Sequence, residues 1–130
     1  MDKFKMKIPK QLIALTKEHH LSLSLANKAI NAKKLGNEVA ICQQIAENFE
    51  QDFLSHFNFE EQYILPLLTQ NNQPDCQRII SEHRQLLRLA KDINTDNLLK
   101  FGELLKTHTR FEDRVLFKQI PADSLHRIPT

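Results

Sequence analysis

Two stretches of the 130-residue chain repeat one pattern, a histidine followed four residues later by a glutamate. His56 precedes Glu60 and His108 precedes Glu112, with a phenylalanine before each glutamate and a further acid after it. Residues four apart on a helix lie on the same face one turn apart, so each pair presents an imidazole and a carboxylate together. Imidazole nitrogen and carboxylate oxygen are typical ligands of a transition-metal ion.

Two other stretches carry a histidine directly after a glutamate, in the dipeptides Glu18-His19 and Glu82-His83. At about 100° per residue, His19 falls at the centre of an apolar helical face, whereas His20 falls on a polar face and is predicted to meet solvent. A lone histidine on an apolar stripe is most often structural. Here the pattern occurs in four stretches, so we expect four imidazoles that face inward.

These residues fall in four long periodic segments separated by short breaks, which predicts four amphipathic helices. The expected helices cover about residues 9–34, 38–68, 75–93 and 97–120, followed by a short tail at 121–130. Gly36 favours the end of the first helix, and Pro66 predicts a kink in the last turn of the second. With no strand pattern, the chain is predicted to be all-α, a single domain over residues 1–130 folded as an antiparallel up-down-up-down four-helix bundle.

Composition and charge exclude several classes of protein. Hydrophobic residues make up 41% of the chain and the formal net charge is +2, so disorder is not expected. The chain shows no signal-peptide pattern and no apolar run long enough to span a membrane, so we expect a cytoplasmic protein without a membrane partner. Lysines gather before residue 35 and acids between residues 35 and 77, which favours helix packing over nucleic-acid binding. Cys42 and Cys76 are expected to be buried free thiols.

The four inward histidines lie at similar distances along their helices from the predicted connections, so one layer of the bundle can hold all four with both glutamates. A buried polar group without a partner costs about 1–3 kcal/mol, and a buried charge costs more. Metal ions would remove that cost. A set of His and Glu ligands suits iron, zinc or manganese better than calcium, and vacant coordination positions favour non-haem iron.

Together these motifs resemble the hemerythrin family, in its bacterial HHE cation-binding branch, over about residues 8–120. The resemblance rests on the inward histidine of helix one, on HFNFEEQYILP and HTRFEDRVLF in helices two and four, and on EHRQL in helix three. The resemblance implies a hemerythrin-like bundle with a centre of two iron ions, which an oxo or hydroxo group can bridge. It also implies bridging by Glu60 and Glu112 and terminal ligation by His19, His56, His83 and His108.

One departure from the family pattern concerns helix three. Oxygen-carrying hemerythrins resemble this chain, but their helix three has a second histidine four residues from the first. In this chain, the residues four positions before and after His83 are Ile79 and Leu87. The set of four histidines and two glutamates resembles instead the centres of the iron–sulfur-repair and nitric-oxide-response proteins of the family. Ferritin-like di-iron bundles are excluded because they place a glutamate three residues before a histidine, which occurs nowhere in this chain.

Several neighbouring residues are candidates for supporting roles. Asp52 could accept a ring N–H from a ligand histidine, and Tyr63 could donate to a bound species or simply pack. Glu61 and Asp113 are alternative carboxylate ligands, although Glu60 and Glu112 fit the inward face better. An apolar wall around the site is expected from Phe49, Phe53, Phe59, Phe101 and Phe111.

The leading functional hypothesis is a non-haem di-iron protein that binds, senses or reduces a small oxidant such as O2, NO or peroxide, or that handles iron. The alternative is an interaction or regulatory module whose metal site is structural. The chain has no phosphate-binding loop and no zinc-protease HExxH motif that would indicate another chemistry. Carrier, sensor and enzyme all stay open at this point.

Overall fold

A computed structural model of the chain describes residues 10–68 and 73–129. The predicted helices are present at α1 Ile13–Leu35, α2 Glu38–Phe59, α3 Gln73–Lys91 and α4 Leu98–Phe111. Each helix packs against its neighbour along the chain, and α1 also packs against α4, so the four close into a bundle. The described residues contain no strand, and the prediction of an all-α bundle is confirmed.

The helix ends follow the local sequence. Gly36 adopts φ +70° and closes α1, because a left-handed backbone is easily reached only by glycine. A single 3-10 turn, Lys10–Leu12, leads into α1. None of the helices within the described ranges is long and apolar enough to cross a membrane.

Both α2 and α4 change to a π-helical turn at the glutamate of their histidine-glutamate pair. The π-turns cover Glu60–Ile64 and Glu112–Leu116, and 3-10 turns follow at Leu65–Leu67 and Phe117–Gln119. Pro66 was expected to disturb the end of α2, but the interruption begins six residues earlier, at Glu60. Because α4 makes the same π-turn without a proline, Pro66 is not its cause.

Three apolar clusters fill the bundle. The largest occupies the end that carries the α1–α2 and α3–α4 connections, and it is built around Phe49, Phe101 and Leu105. Two smaller clusters occupy the opposite end, one around Ile79 and Leu116 and the other around Leu12, Leu15 and Ile64. Cys76 is buried and free as predicted, whereas Cys42 is free but only half-buried.

The helices are not equally spaced around the bundle, and α1 and α4 approach most closely. A Cβ on Gly102 of α4 would lie 2.9 Å from the Cβ of Ala29 and 3.0 Å from the carbonyl oxygen of Ala26. Small residues on both helices therefore permit this contact. The opposite seam of α1, towards α2, is wider and carries a surface groove of about 570 Å³ that reaches His56.

The C-terminal residues form more structure than the short tail predicted from the sequence. A 3-10 helix covers Ala122–Arg127, and the Ile128 side chain beyond it is buried with 2% of its surface exposed. Ile128 packs in the cluster of Leu12, Leu15 and Ile64. The tail docks because it carries apolar side chains that cover this end of the bundle.

Candidate metal centre

All six predicted site residues meet in one buried layer between the large apolar cluster and the two smaller ones. The imidazoles of His19, His56, His83 and His108 come from the four different helices, and Glu60 and Glu112 begin the two π-turns. Each of the six residues exposes 3% of its surface or less. The structure thus brings together every residue that the sequence placed in the site.

Glu60 lies at the centre of three imidazoles. Its Oε2 is 3.3 Å from Nε2 of His19 and 3.2 Å from Nε2 of His56, and its Oε1 is 3.0 Å from Nε2 of His83. Oε2 therefore faces α1 and α2, whereas Oε1 faces α3. This is the arrangement that a carboxylate bridging two ions requires.

Glu112 is less completely paired. Its Oε1 lies 3.1 Å from Nε2 of His19 and 3.5 Å from Nε2 of His108. The other oxygen, Oε2, and Nε2 of His108 are buried without a hydrogen-bond partner. Buried orphan atoms are costly, and two such lone-pair donors in one buried layer fit a site that binds a cation.

The six residues form two overlapping groups of four, in each of which the possible ligand atoms all lie within 4.8 Å of one another. We call the group with His19 and His56 position A, and the group with His83 and His108 position B. Both positions share Glu60 and Glu112. Two imidazoles from neighbouring helices and two shared carboxylates thus surround each position.

The electrostatics of the cluster show strong coupling between the imidazoles and the carboxylates. Burial lowers the pKa of His19, but hydrogen bonds with Asp113, Glu112 and Glu60 outweigh it and raise the pKa to about 12. Burial likewise opposes the charge on His56, but the charge of Glu60 prevails and raises the pKa to about 10. In the metal-free protein, His19 and His56 therefore hold protons on nitrogens that a metal ion would need.

The outer nitrogen of each imidazole faces a second carboxylate. Three of these contacts are hydrogen bonds. Nδ1 of His19 lies 2.6 Å from an oxygen of Asp113, Nδ1 of His83 lies 2.7 Å from one of Glu61, and Nδ1 of His108 lies 2.9 Å from one of Glu82. The fourth is an ion pair, since Nδ1 of His56 lies 3.1 Å from Oε1 of Glu18 without forming a hydrogen bond. Such partners fix the orientation of a ligating imidazole and leave Nε2 free for the metal.

The sequence did not assign these four acids correctly. Glu61 and Asp113 were candidates for direct ligation, but their oxygens point to outer nitrogens. Asp52, predicted to accept a ring N–H from a ligand histidine, is exposed, and the acid that faces the outer nitrogen of His56 is Glu18. The repeated Glu-His dipeptides were the available signal, because an acid next to an inward histidine points towards the neighbouring helix.

The aromatic surroundings also differ from the prediction. Phe57 stacks on the His83 ring at 4.0 Å between centroids, and Phe117 stacks on His19 at 5.2 Å. Phe59 and Phe111 are only half-buried and pack in the smaller clusters instead. The other predicted wall residues, Phe49, Phe53 and Phe101, lie in the large cluster.

Three residues next to the site have no ligand role in this geometry. His20 is exposed, as its polar helical face predicted. Tyr63 packs against Phe59 with ring centroids 5.0 Å apart. Ile79, one of the two residues four positions from His83, is fully buried in an apolar cluster.

A helical bundle whose interior presents four imidazoles and two shared carboxylates defines a class of cation-binding domains. The chain matches the family model of the hemerythrin HHE cation binding domain over residues 12–120. The chain therefore belongs to the hemerythrin family, and the resemblance drawn from its motifs is confirmed. Comparisons with curated proteins and with solved structures gave no significant match.

Proposed function

We propose that this protein holds two iron ions, one at position A and one at position B, bridged by Glu60 and Glu112. The proposal is supported above all by the overlap of the two positions, which share both glutamates while each takes its own pair of imidazoles. A single ion would leave one pair of buried imidazoles unused. Of the two orphan atoms, Nε2 of His108 belongs to position B, and Oε2 belongs to Glu112, which both positions share.

The ligand atoms favour iron, with zinc and manganese as the nearest competitors. Each position offers two imidazole nitrogens and carboxylate oxygens, which suit borderline transition metals and not calcium. With at most four protein ligands at a position, an iron ion keeps coordination sites for an external molecule. Such an ion would supply Lewis-acid or redox chemistry, while the protein orients the imidazoles and excludes bulk water.

We further propose that the external molecule is a small oxidant, such as O2, NO or peroxide. The groove between α1 and α2 supports this, because His56 and Glu18 line its floor and Ile13, Leu15 and Phe59 give it apolar walls. A small, weakly polar molecule can approach position A along such walls. No comparable cavity among those found in the described residues is lined by His83 or His108.

The test is metal analysis of the protein purified from iron-replete cells, together with its visible spectrum. The expected result is about two irons per chain and an absorption band that shifts when azide, NO or O2 is added. His56→Ala and Glu112→Ala should each lower the metal content. His20→Ala is the matched control, because this imidazole is adjacent to His19 but exposed, and it should bind metal as the wild type does.

A structural metal site is the second candidate, favoured by the almost complete burial of all four imidazoles. In that case the protein binds its metal ions but no external ligand. Full metal content with a spectrum unchanged by azide and NO would support this candidate. Metal content that is the same in wild type, His56→Ala and Glu112→Ala would contradict the centre altogether.

A further inference from the structure

The four outer acids are arranged in a regular order around the bundle. In each case the acid comes from one helix, or from the π-turn that continues it, and the imidazole it contacts comes from the next helix. The contacts run from Glu18 on α1 to His56, from Glu61 after α2 to His83, from Glu82 on α3 to His108, and from Asp113 after α4 to His19. The last contact returns to α1 and closes the circle.

Each of these acids is a direct sequence neighbour of an inner ligand. Glu18 precedes His19 and Glu82 precedes His83, while the other two acids follow the bridging glutamates. Neighbouring residues on a helix point about 100° apart, so when one faces the centre the other faces an adjacent helix. Two consecutive residues thus present a ligand to the centre and an orienting acid to the adjacent helix.

The chemistry of each contact defines the state of the imidazole. An ionised carboxylate can only accept a hydrogen bond, so Nδ1 must carry the proton in the three hydrogen-bonded pairs. The neutral imidazole then has its lone pair on Nε2, the nitrogen that faces the glutamates. The acid therefore sets both the tautomer and the direction of the ring.

We propose that these acids form a directional ring of positioning residues, in which each helix orients the metal-binding imidazole of the next. This proposal rests on the proposed function, since it assigns each acid to one of the two metal positions. Glu18 and Asp113 orient the imidazoles of position A, and Glu61 and Glu82 orient those of position B. The repeated motif does not reveal this assignment. Glu61 and Asp113 follow equivalent glutamates, yet Glu61 acts on position B and Asp113 on position A.

Glu61 and Asp113 form a closely matched pair for a test. Their side chains are 35% and 36% exposed, and their contacts to Nδ1 measure 2.7 and 2.6 Å. Replacing either by alanine removes one negative charge at a similar depth beside a bridging glutamate. A general electrostatic or structural role would weaken both metal positions alike, whereas a positioning role weakens only one.

The experiment places each change in a background that keeps a single position. His56→Ala removes a ligand of position A and leaves position B, while His83→Ala does the opposite. In the His56→Ala background, Glu61→Ala should weaken Zn²⁺ binding about 10- to 100-fold and Asp113→Ala should leave it unchanged. In the His83→Ala background, Asp113→Ala should weaken Zn²⁺ binding and Glu61→Ala should leave it unchanged. Glu103→Ala, an exposed acid on α4, is the control in both backgrounds.

Imidazole ¹⁵N and ¹H spectra of the metal-free protein test the ring without any metal binding. Glu61→Ala should move the Nδ1–H signal of His83 and leave that of His19, and Asp113→Ala should do the reverse. Equal effects of both variants on both signals would overturn the ring, and so would equal losses at both metal positions. If the wild type binds neither Zn²⁺ nor iron, the proposed function is wrong. The spectra of the metal-free protein would then still test whether each acid orients the imidazole assigned to it.

Discussion

Glu60 and Glu112 occupy equivalent places in the two repeated motifs but have opposite electrostatic surroundings. Burial raises the pKa of both carboxyl groups. For Glu60 the charge of His56 and hydrogen bonds from three imidazoles outweigh burial, so its pKa falls well below the usual range. For Glu112 the charge of Glu60 adds to burial, and its pKa is raised. Of the two carboxyl groups, Glu112 is therefore the one that is protonated more easily.

This difference predicts unequal costs for two isosteric substitutions in the metal-free protein. Glu60→Gln removes the partner of three buried imidazoles and should lower the free energy of unfolding by about 3–5 kcal/mol. Glu112→Gln resembles the protonated acid and should cost less than about 1 kcal/mol. Urea unfolding of the chelator-treated variants at neutral pH measures both. Equal losses would show that the two carboxyl groups carry the same charge.

The contribution of Glu60 also has a definite pH dependence. Because its pKa is lowered on folding, its stabilising effect is complete above the ordinary value of 4.5 and is lost as the pH falls towards the folded value. The raised pKa values of His19 and His56 act in the other direction. Their stabilisation is complete below 6.5 and is lost as the pH rises through about 10 and about 12.

A second prediction concerns competition between metal ions and protons. Since a metal must displace the protons that the raised pKa values hold on His19 and His56, metal affinity should rise with pH. Between about pH 6 and pH 8 the affinity for Zn²⁺ should increase at least about tenfold per pH unit, which corresponds to one proton released. Calorimetry in buffers of different ionisation enthalpy counts the released protons. An affinity independent of pH in this range contradicts the prediction.

The inner residues of the site could be predicted from the sequence because their positions depend only on local helical geometry. His19 falls on an apolar stripe, and the spacing of His56 and Glu60 is a single helical turn. The outer acids act across helices, so their partners depend on the order and rotation of the helices in the bundle. Asp52 was chosen because it lies one turn from His56 on the same helix, whereas the true partner, Glu18, lies on another.

At the scale of the elements, the sequence predicted the four helices well and their interruptions poorly. A π-turn inserts only one residue relative to an α-helix, and the apolar pattern around Glu60 and Glu112 does not reveal it. The docking of Ile128 could not be predicted either, since two apolar residues in a short segment do not identify the surface they cover. The end of α1 was easier to predict, because the conformation of Gly36 is a local property of the chain.

The close contact of α1 and α4 leads to a prediction for Gly102→Ala. The added Cβ would meet Ala29 Cβ at 2.9 Å and Ala26 oxygen at 3.0 Å, and a backbone oxygen cannot move aside cheaply. We expect a loss of about 1–3 kcal/mol from overpacking, reduced by the better helix propensity of alanine, which is worth about 1 kcal/mol. Thermal unfolding measures the change.

Ala29→Gly provides the matched test for this contact. It removes the 2.9 Å clash but leaves those with the Ala26 oxygen and Ile30, so Gly102→Ala should cost less stability in the Ala29→Gly background than in the wild type. Additive losses in the double variant would show that the two residues do not interact. Since α4 also carries His108, the single variant should weaken metal binding as well.

At the scale of the whole molecule, the polar layer separates the large apolar cluster from the two smaller ones. We predict that removal of metal by a chelator loosens the end that holds the smaller clusters more than the other end. Amide hydrogen exchange should accelerate in residues 10–15, 64–68, 76–80 and 116–128. Residues 41–49 and 98–105, within the large cluster, should stay protected. Uniform acceleration along the chain would show that the two ends unfold together.

The proposed ring of outer acids would also determine the charge that surrounds the two proposed ions. Four outer and two inner carboxylates bring six negative charges when all are ionised, whereas two divalent ions bring only four positive ones. The outer acids are partly exposed, so water screens them, but their sign still favours a higher positive charge at the centre. For a metal that can change its valence, such surroundings stabilise the oxidised form. With a redox-active metal bound, the arrangement that is proposed to orient the imidazoles would therefore also make the centre readier to give up electrons than to accept them.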